Sequence, residues 1–160
     1  MVDLKEFEQK AADLRVLGMK ISIGQDTVYE KYWDEDCRRN IYSASKSFTS
    51  CAVGFAVQEG LIDLDERLMD AFKEDIPNNP DENLKKATVK DLLTMTLGQE
   101  KGFLMGKQRP RMEEQNWVKA SLAIPFVYEP GTHFVYNNVG PYLAGILVQR
   151  RAGCDLLSYL

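Results

Sequence analysis

Apolar residues at Leu4, Phe7, Ala11, Leu14 and Leu17 recur at helical spacing, and Gly18 offers a stop. This predicts a helix over 4–17. Residues 20–23 and 27–33 alternate or are rich in β-formers, and Gly24-Gln25-Asp26 between them reads as a hairpin turn. A charged connection over 34–40 follows. The clearest helix is 43–59, with Ala44, Phe48, Cys51, Ala52, Phe55 and Ala56 on one broad face. Val53 and Val57 extend that face nearly all round, which predicts a buried helix with Cys51 in the core. Gly60 suits a helix end that needs positive φ, with Leu61 packing back.

Further on, 66–72 reads as a short segment and Pro77-Asn-Asn-Pro80 as a loop. Thr88-Val-Lys-Asp91 resembles a capping box with Asp in place of Glu, opening a helix that runs to Gly98. Residues 99–112 hold two glycines and a proline and read as a long loop. Its Phe103-Leu104-Met105 is either core or the lip of a cleft. Helices are predicted over 113–123 and 141–151, with a turn region between and Gly153 closing the second. There is no internal repeat. One hairpin among several helices predicts an α+β protein whose sheet is completed elsewhere, because a lone hairpin is marginal in water.

Composition narrows the function classes. The 160 residues are 44% apolar and 28% charged, with a net charge of −4, the profile of a globular domain with a real core. No Lys/Arg run exceeds two residues, which argues against nucleic acid. No apolar run is long enough to span a bilayer, and the first residues lack the basic and apolar regions of a signal peptide. A cytoplasmic location is expected, or a periplasmic or secreted one if a leader has been removed. Three widely spaced cysteines, Cys37, Cys51 and Cys154, argue against a disulfide framework. No metal-ligand spacing is present, and neither a metal nor a cofactor is expected. His133, the only histidine, sits in a Gly-Thr-His-Phe turn and reads as a structural or surface residue, which disfavours a Ser-His-Asp mechanism.

The chemistry rests on two short patterns. Ser43 and Lys46 are three apart at a helix start, so the amine lies over the same face as the hydroxyl. Unpaired amides and the positive end of the macrodipole there favour a developing oxyanion. Partial desolvation of Lys46 favours the neutral amine, a proton acceptor for the serine. The competing reading makes Ser43 a simple N-cap and Lys46 a solvated first-turn residue, and the helix alone does not decide between them. Chance places about half of one Ser-x-x-Lys, and about 0.3 of one Tyr-x-Asn, in a chain with this content. Neither pattern is informative by itself.

Their order and surroundings are. Tyr42-Ser-Ala-Ser-Lys-Ser-Phe48 resembles the nucleophile motif of serine β-lactamases, penicillin-binding proteins and related esterases. Tyr136-Asn-Asn138 resembles the Tyr-x-Asn motif of class C β-lactamases and their esterase and peptidase relatives. Glu59-Gly-Leu-Ile-Asp-Leu-Asp65, the Leu-Leu-Thr-Met-Thr-Leu-Gly98 helix end and Glu129-Pro-Gly-Thr-His-Phe-Val-Tyr-Asn-Asn138 resemble family stretches in the right order. Met95 and Leu97 stand where the family commonly has His and Ser.

The resemblance implies a β-lactamase/transpeptidase-like α+β fold. Residues 1–160 would form one truncated domain, with a helix and hairpin over 1–40 and a mainly helical region over 41–160. Ser43 would be the acyl-accepting nucleophile, and Lys46 and Tyr136 would share the proton work as a coupled pair. Asn138 would orient Lys46 and bind the substrate carbonyl or amide. The implied reaction is acyl transfer from a small-molecule ester, amide or lactam to Ser43, then to water. An intracellular esterase, amidase or D-amino-peptide hydrolase fits the expected location. The family's third motif, Lys-Thr-Gly or His-x-Gly on a late strand, has no match in the chain. The alternative expectation is therefore a non-catalytic module that needs a complementing C-terminal segment or another chain.

Overall fold

The computed structural model describes residues 3–35 and 37–160. The chain divides into two compact units, one running to Ile41 and the other spanning Tyr42–Leu160.

The first unit holds helix α1 (Lys5–Asp13) and an antiparallel hairpin, β1 (Gly18–Ile23) and β2 (Asp26–Tyr32). The helix stops four residues short of the predicted 17 because Arg15 adopts a positive φ of 57°. The predicted turn is present, with Gly24 at φ 62° and a register irregularity between Ile21 and Ser22. Within the unit, Glu8 of α1 takes the Tyr29 hydroxyl at 2.7 Å and pairs with Lys31, tying the helix to β2.

The second unit is helical. A 3-10 turn (Tyr42–Ala44) leads into α2 (Ser45–Gln58), followed by α3 (Leu68–Ala71), α4 (Glu82–Lys86), α5 (Val89–Thr94), α6 (Trp117–Leu122), α7 (Val139–Ala152) and α8 (Leu156–Tyr159). Local chemistry sets most boundaries. At the end of α2, Leu61 N–H returns to the Ala56 carbonyl at 2.8 Å and Gly60 N–H to Val57 at 3.0 Å, with Gly60 at φ 72°. That is a Schellman end, and Leu61 packs back on the core as predicted. Thr88 and Asp91 form the predicted capping box of α5, with Thr88 N–H donating to Asp91 Oδ2 at 2.9 Å. Gly153 closes α7 at φ 72°.

In this unit α5 and α6 fall furthest short of the predicted lengths. α5 ends at Thr94, not Gly98, because Met95 turns into the left-handed region at φ 58°. α6 starts only at Trp117, where Asn116 Oδ1 accepts the Val118 and Lys119 amides. Glu114 Oε1 in turn accepts the Asn116 backbone N–H, so Glu114 and Asn116 are committed to the cap.

α7 is the central post. Its Val139, Leu143, Ala144, Leu147 and Val148 are buried in one core with Ala52, Val53 and Ala56 of α2 and Val89 and Leu92 of α5. Two glycines permit the approach. A Cβ on Gly140 would stand 2.2 Å from the Leu92 carbonyl oxygen, and one on Gly145 would stand 3.3 Å from Leu156 Cδ2 of α8.

The expectation that α2 is buried nearly all round is incorrect. Ala52, Val53 and Ala56 are buried, but Phe48 is 57% exposed, Phe55 49% exposed, and Cys51 is exposed between them. Residues 48, 51 and 55 lie on one stripe, beside the face formed by the buried Ala52, Val53 and Ala56. All three cysteines are free thiols, and Cys51 is not in the core.

Two glycine substitutions separate packing from propensity. Gly140→Ala drives a methyl into a backbone carbonyl, and the chain is expected to lose about 1–3 kcal/mol by urea denaturation. Gly54→Ala in exposed mid-α2 meets nothing within 4 Å and should gain about 1 kcal/mol from helix propensity. Equal effects of the two would remove the close crossing as the reason for Gly140.

Candidate functional site

The four residues singled out in the sequence all lie in the second unit. Ser43 is in the 3-10 turn ahead of α2 and is exposed. The residue before it, Tyr42, has φ 46°, an uncommon conformation for an aromatic side chain and one that collects at functional turns. Ser45 Oγ donates to the Tyr42 carbonyl at 2.7 Å and braces that turn. The N-cap position of α2 is Ala44, which supplies no side-chain cap.

Ser43 is therefore not the N-cap. Its Oγ accepts a hydrogen bond from Lys46 Nζ at 2.8 Å. The one-turn spacing brings amine and hydroxyl together as predicted, and Lys46 is half-buried.

Tyr136 arrives from the other end of the unit. Lys46 Nζ lies 5.2 Å from the centroid of its ring, within reach of a cation–π contact. Hydrogen bonding from the Ser43 hydroxyl, and next from the Lys46 amine, holds the phenol below its usual value of 10.0. Burial opposes the shift but is outweighed, since the side chain stays open to solvent. Ser43, Lys46 and Tyr136 thus form one cluster built from the start of α2 and the approach to α7.

Asn138 is placed differently from the expectation. Its Nδ2 donates to the Leu104 carbonyl at 3.0 Å and approaches Met105 Sδ at 3.5 Å. Among the described residues it makes no hydrogen bond to Lys46. The reason lies in the 99–112 loop. Asn138 N–H donates to the Phe103 carbonyl at 3.2 Å, and Leu104 is buried with φ 56°, which turns its own carbonyl toward the same side chain. The two readings of Phe103-Leu104-Met105 each hold for part of it: Leu104 is core, Phe103 packs on the core, and Met105 is exposed.

The sequence reading missed the groups that hold this strand of chain in place. Val135 N–H donates to the Met95 carbonyl at 2.9 Å, so the left-handed Met95 carries an anchor. A Cβ on Gly102 would stand 2.8 Å from the Tyr136 carbonyl oxygen; the glycine lets the loop lie against the site backbone. Between Tyr136 and Asn138, Asn137 is buried. Only Gly102 left a signal in the sequence, as a glycine without a turn to explain it.

His133 stands in the approach to the site as a structural residue. It stacks on Tyr128 with centroids 4.2 Å apart and hydrogen-bonds Thr132 Oγ1 through Nδ1 at 2.8 Å. No group of metal-binding side chains occurs among the described residues, and no described helix is long and apolar enough to cross a membrane. Two surface hollows of about 440 and 450 Å³ lie elsewhere, one beside Trp117, Tyr142 and Arg150, the other beside Phe103, Arg111 and Met112. Neither is lined by any of the four site residues.

The lowered phenol gives a pH test. The folded site favours the phenolate, so Tyr136 adds stability above the ordinary phenol pKa and loses it as pH falls through the lowered one. Phenolate absorbance of the wild type minus Tyr136→Phe should titrate below the ordinary tyrosine range. The midpoint should move back up in Ser43→Ala and in Lys46→Met. An unchanged midpoint in both variants would mean that neither group touches the phenol.

Comparison with known proteins bears on the family and the fold. The Beta-lactamase family matches residues 5–160. Monacolin J acid methylbutanoyltransferase of Aspergillus terreus is 31% identical over 147 residues, covering 79% of this chain and 35% of that protein. Among solved structures, the octameric penicillin-binding protein homologue from Pyrococcus abyssi superposes with a TM-score of 0.73 at 24% identity, over 99% of this chain and 41% of the other. A class C beta-lactamase gives 0.72 at 18% identity, over 94% and 43%. The chain spans about a third of the curated relative's length and under half of either solved structure. The fold is the β-lactamase/transpeptidase-like α+β fold in part, and the chain belongs to the Beta-lactamase family.

Proposed function

We propose that this chain carries the nucleophile half of a serine acyl-transfer enzyme. Ser43 Oγ attacks the carbonyl of a small ester, amide or lactam while its proton passes to the Lys46/Tyr136 pair. The leaving group departs with a proton from that pair, and water then releases the acyl group from Ser43. The observation that carries this reading is the 2.8 Å contact of Lys46 Nζ with Ser43 Oγ beside the Tyr136 ring. The arrangement is an activated nucleophile: a weak hydroxyl, an amine in reach of its proton, and a phenol to share it. Asn138 faces substrate in this scheme from the start of α7, held against the 99–112 loop, and does not orient the lysine. The first amides of α2, ahead of which Ser43 sits without a side-chain cap, support an oxyanion.

The final acyl acceptor has a second reading. The 31% identical relative is named as a methylbutanoyltransferase, which favours an alcohol as competitor to water. Adding small alcohols to an activated-ester assay distinguishes the two, since a transferase diverts acyl groups into new ester. A non-catalytic module is supported by the exposed Phe48, Cys51 and Phe55 stripe of α2, an apolar face of the kind a further segment covers.

Labelling tests the nucleophile directly. A fluorophosphonate probe should add to Ser43, by peptide mass spectrometry, and Ser43→Ala should take up none there. Lys46→Ala should slow labelling by about 10²–10⁴-fold, the usual worth of a positioned proton acceptor. Silence at Ser43 while a control serine hydrolase labels in the same tube would sink the proposal.

A further inference from the structure

Asn137 lies between two candidate site residues yet is 1% exposed. Its Oδ1 accepts the Gly140 amide at 3.1 Å, inside the first turn of α7. Its Nδ2 has no hydrogen-bond partner among the described residues. A buried unpaired donor is unfavourable, so the side chain is held there by what its oxygen does. The N-cap position of α7 is Asn138, and Asn138 makes no side-chain cap. The capping work falls on the residue before it.

That division has a geometric result. Asn138 is left to reach sideways to Leu104. Tyr136, on the other side of an inward-pointing residue, is turned outward and is 44% exposed, with its ring beside Lys46. Gly140 cannot shift to compensate, because its backbone already lies against the Leu92 carbonyl. Asn137 Oδ1 is thus fastened to a fixed point of the core, one residue from the phenol.

We propose that Asn137 is a positioning residue, whose hydrogen bond to Gly140 N–H sets where Tyr136 stands over Lys46 and Ser43. The assignment rests on the reading of Ser43 as nucleophile and extends it to a residue that touches neither substrate nor proton.

Two variants separate the oxygen from mere volume. Asn137→Leu keeps the bulk and loses the acceptor. Asn137→Asp keeps an acceptor oxygen and loses the unpaired donor. Ser43 labelling by a fluorophosphonate should slow by about 10–10²-fold in N137L, the size expected for a misplacement of about 1 Å, while N137D restores most of the rate. The Tyr136 phenol, followed by NMR of ¹³C-labelled tyrosine, should titrate higher in N137L than in wild type or N137D. That readout needs no activity: if wild-type Ser43 does not label but the Tyr136 midpoint moves as stated, the nucleophile reading fails and the positioning role stands. Unchanged rate and midpoint in N137L would overturn the role, as would equal loss in folded N137D. Where N137L fails to fold by circular dichroism, Asn137→Ala, which has no acceptor oxygen, takes its place with the same two outcomes.

Discussion

The contact between Gly140 and the Leu92 carbonyl is the constraint on which the second unit is built. Glycine inside a helix costs about 1 kcal/mol relative to alanine, and α7 accepts that cost where α5 crosses it with no room for a Cβ. The crossing lets Leu92, Val139 and Leu143 share one core. It also fixes the height at which α7 begins, and with it the three residues that precede the helix. Met95, just past α5, catches Val135 through its carbonyl. The site backbone is thus pinned on both sides by the element that α7 packs against.

The chemistry follows from bringing a helix start and a helix approach together. Ser43 and Lys46 need only one helical turn to meet, whereas Tyr136 needs the whole unit to fold. Burial and contact oppose each other at the phenol, and contact prevails: a hydroxyl and an amine stand beside a ring that solvent still reaches. Had the site been dry, desolvation would have raised the phenol and held it protonated. An open site with a close amine favours a phenol that gives up its proton more readily, the property a shared proton carrier requires.

Features set by one or two residues were legible in the sequence. Gly60, Gly153 and the Thr88/Asp91 box each end or begin a helix through bonds made within a few residues, so spacing alone revealed them. The Ser43–Lys46 contact was legible for the same reason. What failed needed tertiary information. Periodicity could not tell that α2 buries Ala52, Val53 and Ala56 while Phe48, Cys51 and Phe55 face out, because both faces are apolar. The position of Asn138 depends on the left-handed Leu104, and nothing in Phe-Leu-Met announces a positive φ at leucine. Asn137 was hidden by its neighbours: in a Tyr-Asn-Asn run, sequence cannot say which amide turns inward.

The two apolar faces of α2 bear on how the site should be understood. A helix that is hydrophobic all round has partners on all sides, and here α7 occupies only one face. Solved relatives more than twice as long share the fold over nearly all of this chain. On the proposed reading, the serine cluster and the walls that would select a substrate are separable features. In the proposed reaction, attack on a small electrophile would draw on Ser43, Lys46 and Tyr136, which this unit brings together by itself. Recognition of a particular acyl group draws on surfaces around them, and binding energy from those remote contacts is what raises turnover above simple reactivity. A serine that labels readily but turns over slowly would follow from this division without any flaw in the nucleophile.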